Sequence, residues 1–346
     1  MRYHLLGRSG LRVSELCLGT MTFGEEWGWG SDHAEARRIF DAYVAAGGNF
    51  IDTADRYTEG TSERWVGEFV REDRERFVVA TKYTLVTRPG DPNGAGNHRK
   101  HLVHALDGSL KRLGLDFVDV YWVHAWDFTV APDEVMRALD DQVRAGKVLH
   151  IGFSDTPAWL VSRAHTIAEL RGWTPLTALQ VEHSLVERTV ERELLPMARA
   201  LGLAVTPWSP LASGLLSGKY AHGLPEGTRL KEGSLRLTPR NLAIAAEVAA
   251  VAQELGTTSS RVAVAWLRQH APTSIPIIGA RTLTQFEDTL GALSLVLPEA
   301  QRARLDAASA VEPGFPHEFL ARDYMAKMVY AGTRGQLGAL NVAAGG

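Results

Sequence analysis

Short, continuous apolar runs alternate along the chain with segments whose apolar positions have helical spacing. A segment of the second kind has Ile39, Phe40, Tyr43 and Val44 on one helical face. Runs that are apolar throughout are typical of strands covered on both faces, and helical crossovers between them indicate a parallel sheet. The eight runs predict these strands: Glu15–Gly19, Phe50–Ile51, Phe77–Ala80, Val118–Val123, His150–Phe153, Leu179–Val181, Leu203–Val205 and Ile275–Ile278.

Eight strand–helix units of this size favour an α/β fold of the closed (β/α)₈ kind, a TIM barrel. An open, doubly wound sheet is the alternative. It is less favoured because no Gly-x-Gly-x-x-Gly motif follows an early strand. Helix starts are predicted at Ser31 or Asp32 and at Thr61 or Ser62, whose side chains can cap a first turn.

The two ends of the chain do not follow this rhythm. Residues 3–6 and 12–13 flank Arg8-Ser9-Gly10 and predict an N-terminal hairpin that closes one end of the fold. After Leu297 we expect one helical segment, an irregular stretch containing Pro313 and Pro316, and a mobile Gly/Ala-rich run over 332–346. The predicted domains are a barrel over 1–297 and a tail over 298–346 that packs on or near it.

Composition narrows the class of protein. The 346 residues are 45% hydrophobic and carry a net charge of −3, which gives no sign of nucleic-acid or membrane-surface binding. Cys17 is the only cysteine, so an intrachain disulfide and a thiol-rich metal site are excluded. We predict a cytoplasmic enzyme without a metal, and the sequence leaves its oligomeric state open.

Polar side chains stand where three successive predicted strands end. Asp52 follows the second strand, Lys82 the third and His124 the fourth, and Tyr57 lies in the loop beyond Asp52. Each alone has a plain structural explanation, such as a solvated lysine or a hydrogen-bonded core histidine. The carboxyl ends of barrel strands share one rim, where barrel active sites lie. Together, the four residues therefore predict an active site.

Several segments resemble the aldo-keto reductases, and the resemblance extends from about Tyr3 to Leu293. They are Gly19–Met21, Asn49–Tyr57, Ser109–Leu113 with Asp116 and Asp119, Ile151–Ser154, Trp208–Tyr220 and Ile275–Gln285. The similarity is greatest to a branch containing bacterial broad-specificity reductases and potassium-channel β-subunits. It implies NADPH-dependent reduction of an aldehyde or ketone. The alternatives are a cofactor-binding regulatory subunit of a membrane protein and a ketoreductase for nucleotide-linked deoxysugars.

The resemblance also implies roles for the four residues. Tyr57 is expected to be the general acid, because hydride addition to a carbonyl leaves negative charge on oxygen that needs a proton. Lys82 is expected to lower the pKa of the phenol, which is about 10 in a free tyrosine. Asp52 would hold Lys82 charged and in place, and His124 would orient the substrate oxygen.

Cofactor contacts are implied in the same way. Ser154, Asp155 and Gln180 match residues that hold the nicotinamide carboxamide, and Trp208 matches the aromatic residue on which the ring stacks. A guanidinium beside the adenosine suits a 2′-phosphate, so NADPH is expected over NADH. Asp155 and Thr289 stand where the family usually has asparagine. The other implied contacts are Gly19, Thr20, Met21, Asp52, Ser209, Pro210, Leu211, Gly214, Lys219, Arg229, Gly279, Arg281, Gln285, Asp288 and Thr289.

Two further groups of side chains are ambiguous from sequence. His98, His101 and His104 are spaced by three residues on a predicted helix, and we expect a solvated face rather than a metal site. The aromatic residues of the predicted active-face loops have two equal explanations, loop packing or an apolar substrate pocket. They are Trp27, Trp29, Trp126 and Phe128.

Overall fold

A closed barrel of eight parallel strands forms the centre of the molecule. The structure is a computed structural model that describes residues 1–220, 230–231, 233–270 and 274–337. The strands lie in the order β10-β3-β4-β5-β6-β7-β8-β9, and the ring closes where Ile275 N donates to Val205 O at 2.8 Å. The strands are β3 Cys17–Gly19, β4 Phe50–Asp52, β5 Val78–Tyr83, β6 Val118–Val123, β7 Val148–Ser154, β8 Leu176–Glu182, β9 Ala204–Trp208 and β10 Ile277–Ile278. This confirms the predicted fold class.

Helices surround the barrel because their apolar faces pack on the outer side of the strands. Asp32 caps α1 by accepting from Glu35 N at 2.8 Å, as predicted. The prediction at α2 is wrong: its cap is Gly60, at a φ of 84°. The helices are α1 His33–Ala45, α2 Thr61–Val70, α3 Arg99–Leu113, α4 Pro132–Arg144, α5 Ala158–Arg171, α6 Leu194–Leu201, α7 Pro239–Glu254, α8 Ser259–His270, α9 Leu283–Leu290, α10 Glu299–Ser309, α11 His317–Leu320 and α12 Asp323–Tyr330.

The N-terminal hairpin closes the amino end of the barrel. Its strands, β1 Tyr3–Leu5 and β2 Arg12–Ser14, pair antiparallel. Leu6 and Val13 are fully buried and belong to the cluster that fills the barrel interior. The other members of that cluster come from the barrel strands or lie close to them: Cys17, Phe50, Val78, Ala80, Val120, Trp122, Ala178, Ala204, Ile275 and Ile277. In the described part of the barrel interior, polar side chains such as Asp52 and Lys82 therefore lie toward the carboxyl rim.

Inside the barrel the side chains change from apolar to polar along β4 and β5. Successive inward positions on β4 are Phe50 and Asp52, and on β5 they are Val78, Ala80 and Lys82. The alternation of side chains therefore carries both charged groups to the same end of the barrel. Sequence and pleat together account for the position of the candidate site.

The C-terminal tail contains more helix than expected. It contributes α10, α11 and α12, where the sequence suggested one helical segment. Of these three helices only α10 has buried residues, namely Leu305 and Ser309. Its Arg304 forms ion pairs with Glu247 and Glu254 of α7. Most of the run predicted to be mobile, residues 338–346, lies outside the described part of the chain.

Candidate active site

A buried ion pair lies at the carboxyl rim, between β4 and β5. Lys82 Nζ pairs with the Asp52 carboxylate and donates to Thr53 O at 2.9 Å and to Tyr57 Oη at 3.0 Å. The Lys82 side chain is 0% exposed and that of Asp52 is 3% exposed. All three N–H donors of the ammonium are therefore used, which is the condition for burying a charge without a large penalty.

The second oxygen of Asp52 is held from the opposite side of the barrel. Asp52 Oδ1 accepts from Gln180 Nε2 at 3.0 Å, and β4 and β8 face each other across the ring. Both carboxylate oxygens thus have donors, so the orientation of Asp52 is fixed. Sequence reasoning identified Gln180 only as a cofactor contact and missed this link.

Buried hydroxyl groups fix the ends of β3 and β4 against α2. Thr20 N and Thr20 Oγ1 both lie 3.0 Å from Asp52 O. Ser62 Oγ lies 2.8 Å from Thr20 Oγ1 and 2.9 Å from Thr53 Oγ1. Thr20 was expected at the cofactor, but its buried hydroxyl serves this network. The hydrogen bonds position the backbone that carries Asp52.

Tyr57 lies among aromatic rings at the mouth of the barrel. Its ring meets His124 edge to face at 5.9 Å and Trp27 at 6.5 Å, and Trp27 contacts Trp29 at 5.7 Å. Directly after Tyr57 the backbone of Thr58 is left-handed, with a φ of 45°, a strained conformation for a non-glycine residue. The strained turn sets where the phenol stands relative to Lys82.

The aromatic residues of the loops divide into two kinds. Trp126 is buried and packs on Phe153 at 5.9 Å, so its role is packing. Phe128 is 68% exposed. Trp27 and Trp29 alone of the four form a continuous series of ring contacts with Tyr57. They make one wall of the mouth apolar.

Burial is the largest single influence on each pKa at this site, but neighbouring charges can reverse its direction. Burial raises the pKa of Tyr57 above its ordinary value, although Lys82 pulls it down through charge and a hydrogen bond. The net direction is opposite to the one predicted from Lys82 alone. For Lys82, burial lowers the pKa, but Asp52 and Tyr57 outweigh it and the pKa is raised. Burial, helped by Lys82, holds the pKa of His124 well below its usual range, so this imidazole is neutral at pH 7.

Beyond this cluster, the ends of β7, β8 and β9 form the adjoining part of the rim. Ser154 pairs in register with Gln180, and Glu182 with Trp208. Trp208 Nε1 donates to Asp155 Oδ1 at 3.0 Å. The Ser154 hydroxyl is buried and has no hydrogen-bond partner among the described residues. A buried hydroxyl without a partner fits a ligand amide, such as the carboxamide of nicotinamide.

The loop after β9 has the backbone of an anion-binding segment. Ser209, Ala212 and Ser213 have φ values of 58°, 48° and 59°, and Gly214 has a φ of 89°. Lys219 is exposed, with its Nζ packed close to Gly214. Successive left-handed turns with a nearby ammonium suit phosphate groups. Pro210 is buried and Leu211 half-buried in the same turn, and Arg229 lies outside the described residues.

Some of the predicted adenosine contacts near the ends of β3 and β10 already bind other protein groups, and others are free to bind a ligand. The Arg281 side chain has no hydrogen bond or ion pair among the described residues, and its backbone N donates to Gln285 Oε1 at 3.3 Å. Asp288 is bound by Arg261 at 3.1 Å, and the Thr289 hydroxyl donates to Gln285 O at 3.0 Å. Among the described residues of this group, Arg281 therefore has a guanidinium available for a ligand. Gly279 packs against Gly19 at the strand ends, and Met21 is half-buried beside them.

The histidines of α3 are not a uniform solvated face. His98 caps the helix by accepting from His101 N at 3.2 Å, His101 is buried, and His104 is exposed. Within the described ranges, a different group has metal-ligand geometry: His183, Glu191 and His270. Arg188 donates to both Glu191 oxygens at 2.7 and 2.9 Å, and this guanidinium already occupies the carboxylate. No sequence motif indicated this group.

Comparison with known proteins agrees with this geometry. The family model described as "Aldo/keto reductase family" matches residues 15–310. Norsolorinic acid reductase of Aspergillus flavus is 37% identical over 92% of this chain and 84% of its own. Aryl-alcohol dehydrogenase GME11368 of Pestalotiopsis microspora is 36% identical over 92% and 85%. Aryl-alcohol dehydrogenase [NADP(+)] of Phanerodontia chrysosporium is 37% identical over 89% and 86%.

These relatives are fungal and do not single out the bacterial branch suggested by the sequence. In the described part of the chain, every helix is too short or too polar to traverse a lipid bilayer. The barrel, the rim residues and the family match over most of the chain lead to one conclusion. This protein belongs to the aldo/keto reductase family.

Proposed function

We propose that this protein reduces an aldehyde or ketone to the alcohol with NADPH, and that Tyr57 is the general acid. The observation that carries the proposal is the position of Tyr57 Oη, 3.0 Å from the buried ammonium of Lys82 at the open rim. The name of one relative includes NADP(+), which supports the choice of cofactor. When bound, the nicotinamide supplies the hydride.

The chain's own residues would handle the proton. Tyr57 keeps its proton at neutral pH because its pKa is raised, so it is ready to donate from Oη to the substrate oxygen. As the phenol loses its proton, the Lys82 ammonium beside it stabilises the developing negative charge. His124 is neutral, so one ring nitrogen carries a hydrogen that can bond to the same substrate oxygen.

The groups at the rim suggest which residue would hold each part of the cofactor. Ser154 and Asp155 would hold the carboxamide, and Trp208 would stack on the ring. The left-handed turns over 209–214 and Lys219 would hold the pyrophosphate. Arg281 would bind the 2′-phosphate, since its guanidinium has no described protein partner.

We propose aromatic aldehydes as the substrate class. The wall formed by Trp27 and Trp29 beside Tyr57 offers flat apolar surface for stacking. Two of the relatives are named aryl-alcohol dehydrogenases, which supports an aryl substrate. Small aliphatic carbonyls would gain little from that wall.

The test is turnover of NADPH with a panel of carbonyls: 4-nitrobenzaldehyde, other aryl aldehydes, methylglyoxal and small diketones. We expect activity to be highest with the aryl aldehydes. Tyr57→Phe should bind NADPH normally, seen as a change in its fluorescence, and lose about 10²–10⁴-fold in turnover. The matched control is Tyr3→Phe, which removes a phenol bonded to Gly47 O at the closed end.

A fully active Tyr57→Phe would refute the acid assignment. Cofactor binding without turnover of any carbonyl would instead favour the regulatory-subunit alternative. Turnover confined to nucleotide-linked sugars would favour the deoxysugar ketoreductase.

We also propose that residues 1–297 form the folding domain and that 298–346 are a tail attached to it. The packing of α10 on α7 through Arg304 supports attachment at the start of the tail. A chain truncated after 297 should fold with a lower unfolding midpoint. Failure of that chain to fold would place α10 within the domain.

A further inference from the structure

Asp155 is held in one position at the rim by three hydrogen bonds. Its backbone N donates to Gln180 O at 3.2 Å, its carbonyl accepts from Trp126 N at 3.4 Å, and its Oδ1 accepts from Trp208 Nε1 at 3.0 Å. The backbone is left-handed, with a φ of 38°, which aspartate and asparagine tolerate better than most residues. The carboxylate therefore stands in a fixed place beside the Trp208 ring.

In the described part of the chain, this carboxylate is not part of an ion pair. No arginine or lysine in the described ranges forms an ion pair with it, and its one side-chain donor is the neutral indole of Trp208. Glu182 adds negative potential, although Arg236 pairs with that carboxylate at 2.5 Å. Asp155, Glu182, Glu187 and Trp208 line one cavity of about 290 Å³. Beyond the cavity wall, the charge of Lys82 attracts the Asp155 carboxylate, and that carboxylate disfavours ionisation of Tyr57. A positively charged flat ring would supply the missing counter-charge.

We propose that Asp155 sets the preference of this site for the redox state of the nicotinamide, its ionised carboxylate favouring the positively charged oxidised ring over the neutral reduced ring. The inference rests on the proposed function, because it assumes that the dinucleotide binds at this rim. The indole of Trp208 would present its face to the ring while its N–H holds the carboxylate. Asparagine at this position would keep that hydrogen bond and remove the charge.

The charge on Asp155 changes within an accessible pH range. The side chain is exposed at the mouth, but the surrounding walls reduce its hydration, and this raises the pKa of its carboxyl to about 6. Below that pH the Asp155 carboxyl is neutral, and the site discriminates less between NADP⁺ and NADPH. Above it the carboxylate favours the oxidised form. His124 stays neutral and Lys82 stays charged through this window, so neither one produces the same change.

The experiment measures the dissociation constants of NADP⁺ and NADPH from pH 5 to pH 8, by quenching of protein fluorescence. The quantity compared is the ratio of the two constants, because protonation of the 2′-phosphate affects both ligands alike and cancels. In the wild-type chain the ratio of the NADP⁺ constant to the NADPH constant should fall about tenfold with rising pH, which corresponds to an Asp155 pKa about 1 lower in the NADP⁺ complex than in the NADPH complex.

Two variants sharpen the result. Asp155→Asn should give a ratio that does not change with pH and that exceeds the wild-type ratio at pH 8. Glu182→Gln, which removes a neighbouring carboxylate already paired with Arg236, should keep the pH dependence. A flat ratio in the wild-type chain, or the same slope in Asp155→Asn, overturns this inference and leaves the proposed function standing. Failure to bind either dinucleotide overturns both.

Discussion

Replacing Lys82 with methionine tests the buried ion pair most directly. The variant removes the ammonium but leaves the Asp52 carboxylate 3% exposed, with the Gln180 amide as its one remaining side-chain donor. Removing one partner of a buried pair costs about 3–5 kcal/mol, because the other charge stays buried without compensation. We therefore expect the free energy of unfolding at pH 7 to fall by about that amount, measured by urea denaturation.

The double variant Lys82→Met/Asp52→Asn distinguishes this explanation from a simple loss of packing. Replacing both charges leaves no isolated charge, so the double variant should lie within about 1 kcal/mol of the wild-type chain in stability. Its turnover should stay low, since Tyr57 has lost the neighbouring cation. A single variant as stable as the wild-type chain, or a double variant no better than the single one, would refute the reasoning.

Three other predictions follow from individual contacts. Arg281→Ala should raise the Michaelis constant for NADPH about 10–100-fold and that for NADH little; equal effects on both would remove the 2′-phosphate role. Burial raises the pKa of Asp55 well above its usual value. As the pH rises above about 4, the unfolded chain ionises this group while the folded chain does not, so the free energy of unfolding falls. Asp55→Asn should therefore stabilise the protein more at pH 8 than at pH 5, and an equal gain would contradict this. A Cβ on Gly152 would meet Trp122 ring atoms at 2.3 Å, so Gly152→Ala should lower the free energy of unfolding by about 1–3 kcal/mol, with Gly10→Ala, which meets nothing within 4 Å, as the unaffected control.

The fold was predictable because each barrel strand is a short, continuous apolar run, and the segments between these runs have apolar residues at helical spacing. The same regularity located Asp52 and Lys82, since parallel strands bring their carboxyl ends to one rim. The bond from Gln180 to Asp52 joins residues 128 positions apart and leaves no local signal. The group of His183, Glu191 and His270 is hidden for the same reason.

The sequence also did not show how deeply individual side chains are buried. The presence of Lys82 correctly indicated a pull on Tyr57 toward the phenolate, but the opposing effect of burial is larger and the net shift of the pKa is upward. Likewise, the spacing of His101 on α3 gave no sign that this ring is buried against Tyr83. Such quantities depend on packing between distant segments.

The N-terminal hairpin, which closes the amino end of the barrel, affects how the acidity of Tyr57 is controlled. Leu6 and Val13 are buried in the apolar cluster inside the barrel, so within the described residues the amino end is closed and the rim is the side from which solvent approaches Lys82 and Asp52. Any ligand that covers the rim therefore dehydrates the ammonium and the phenol at the same moment, and their mutual attraction strengthens as water leaves. Binding of a ligand at the rim and strengthening of the Lys82–Tyr57 interaction therefore occur together in this barrel.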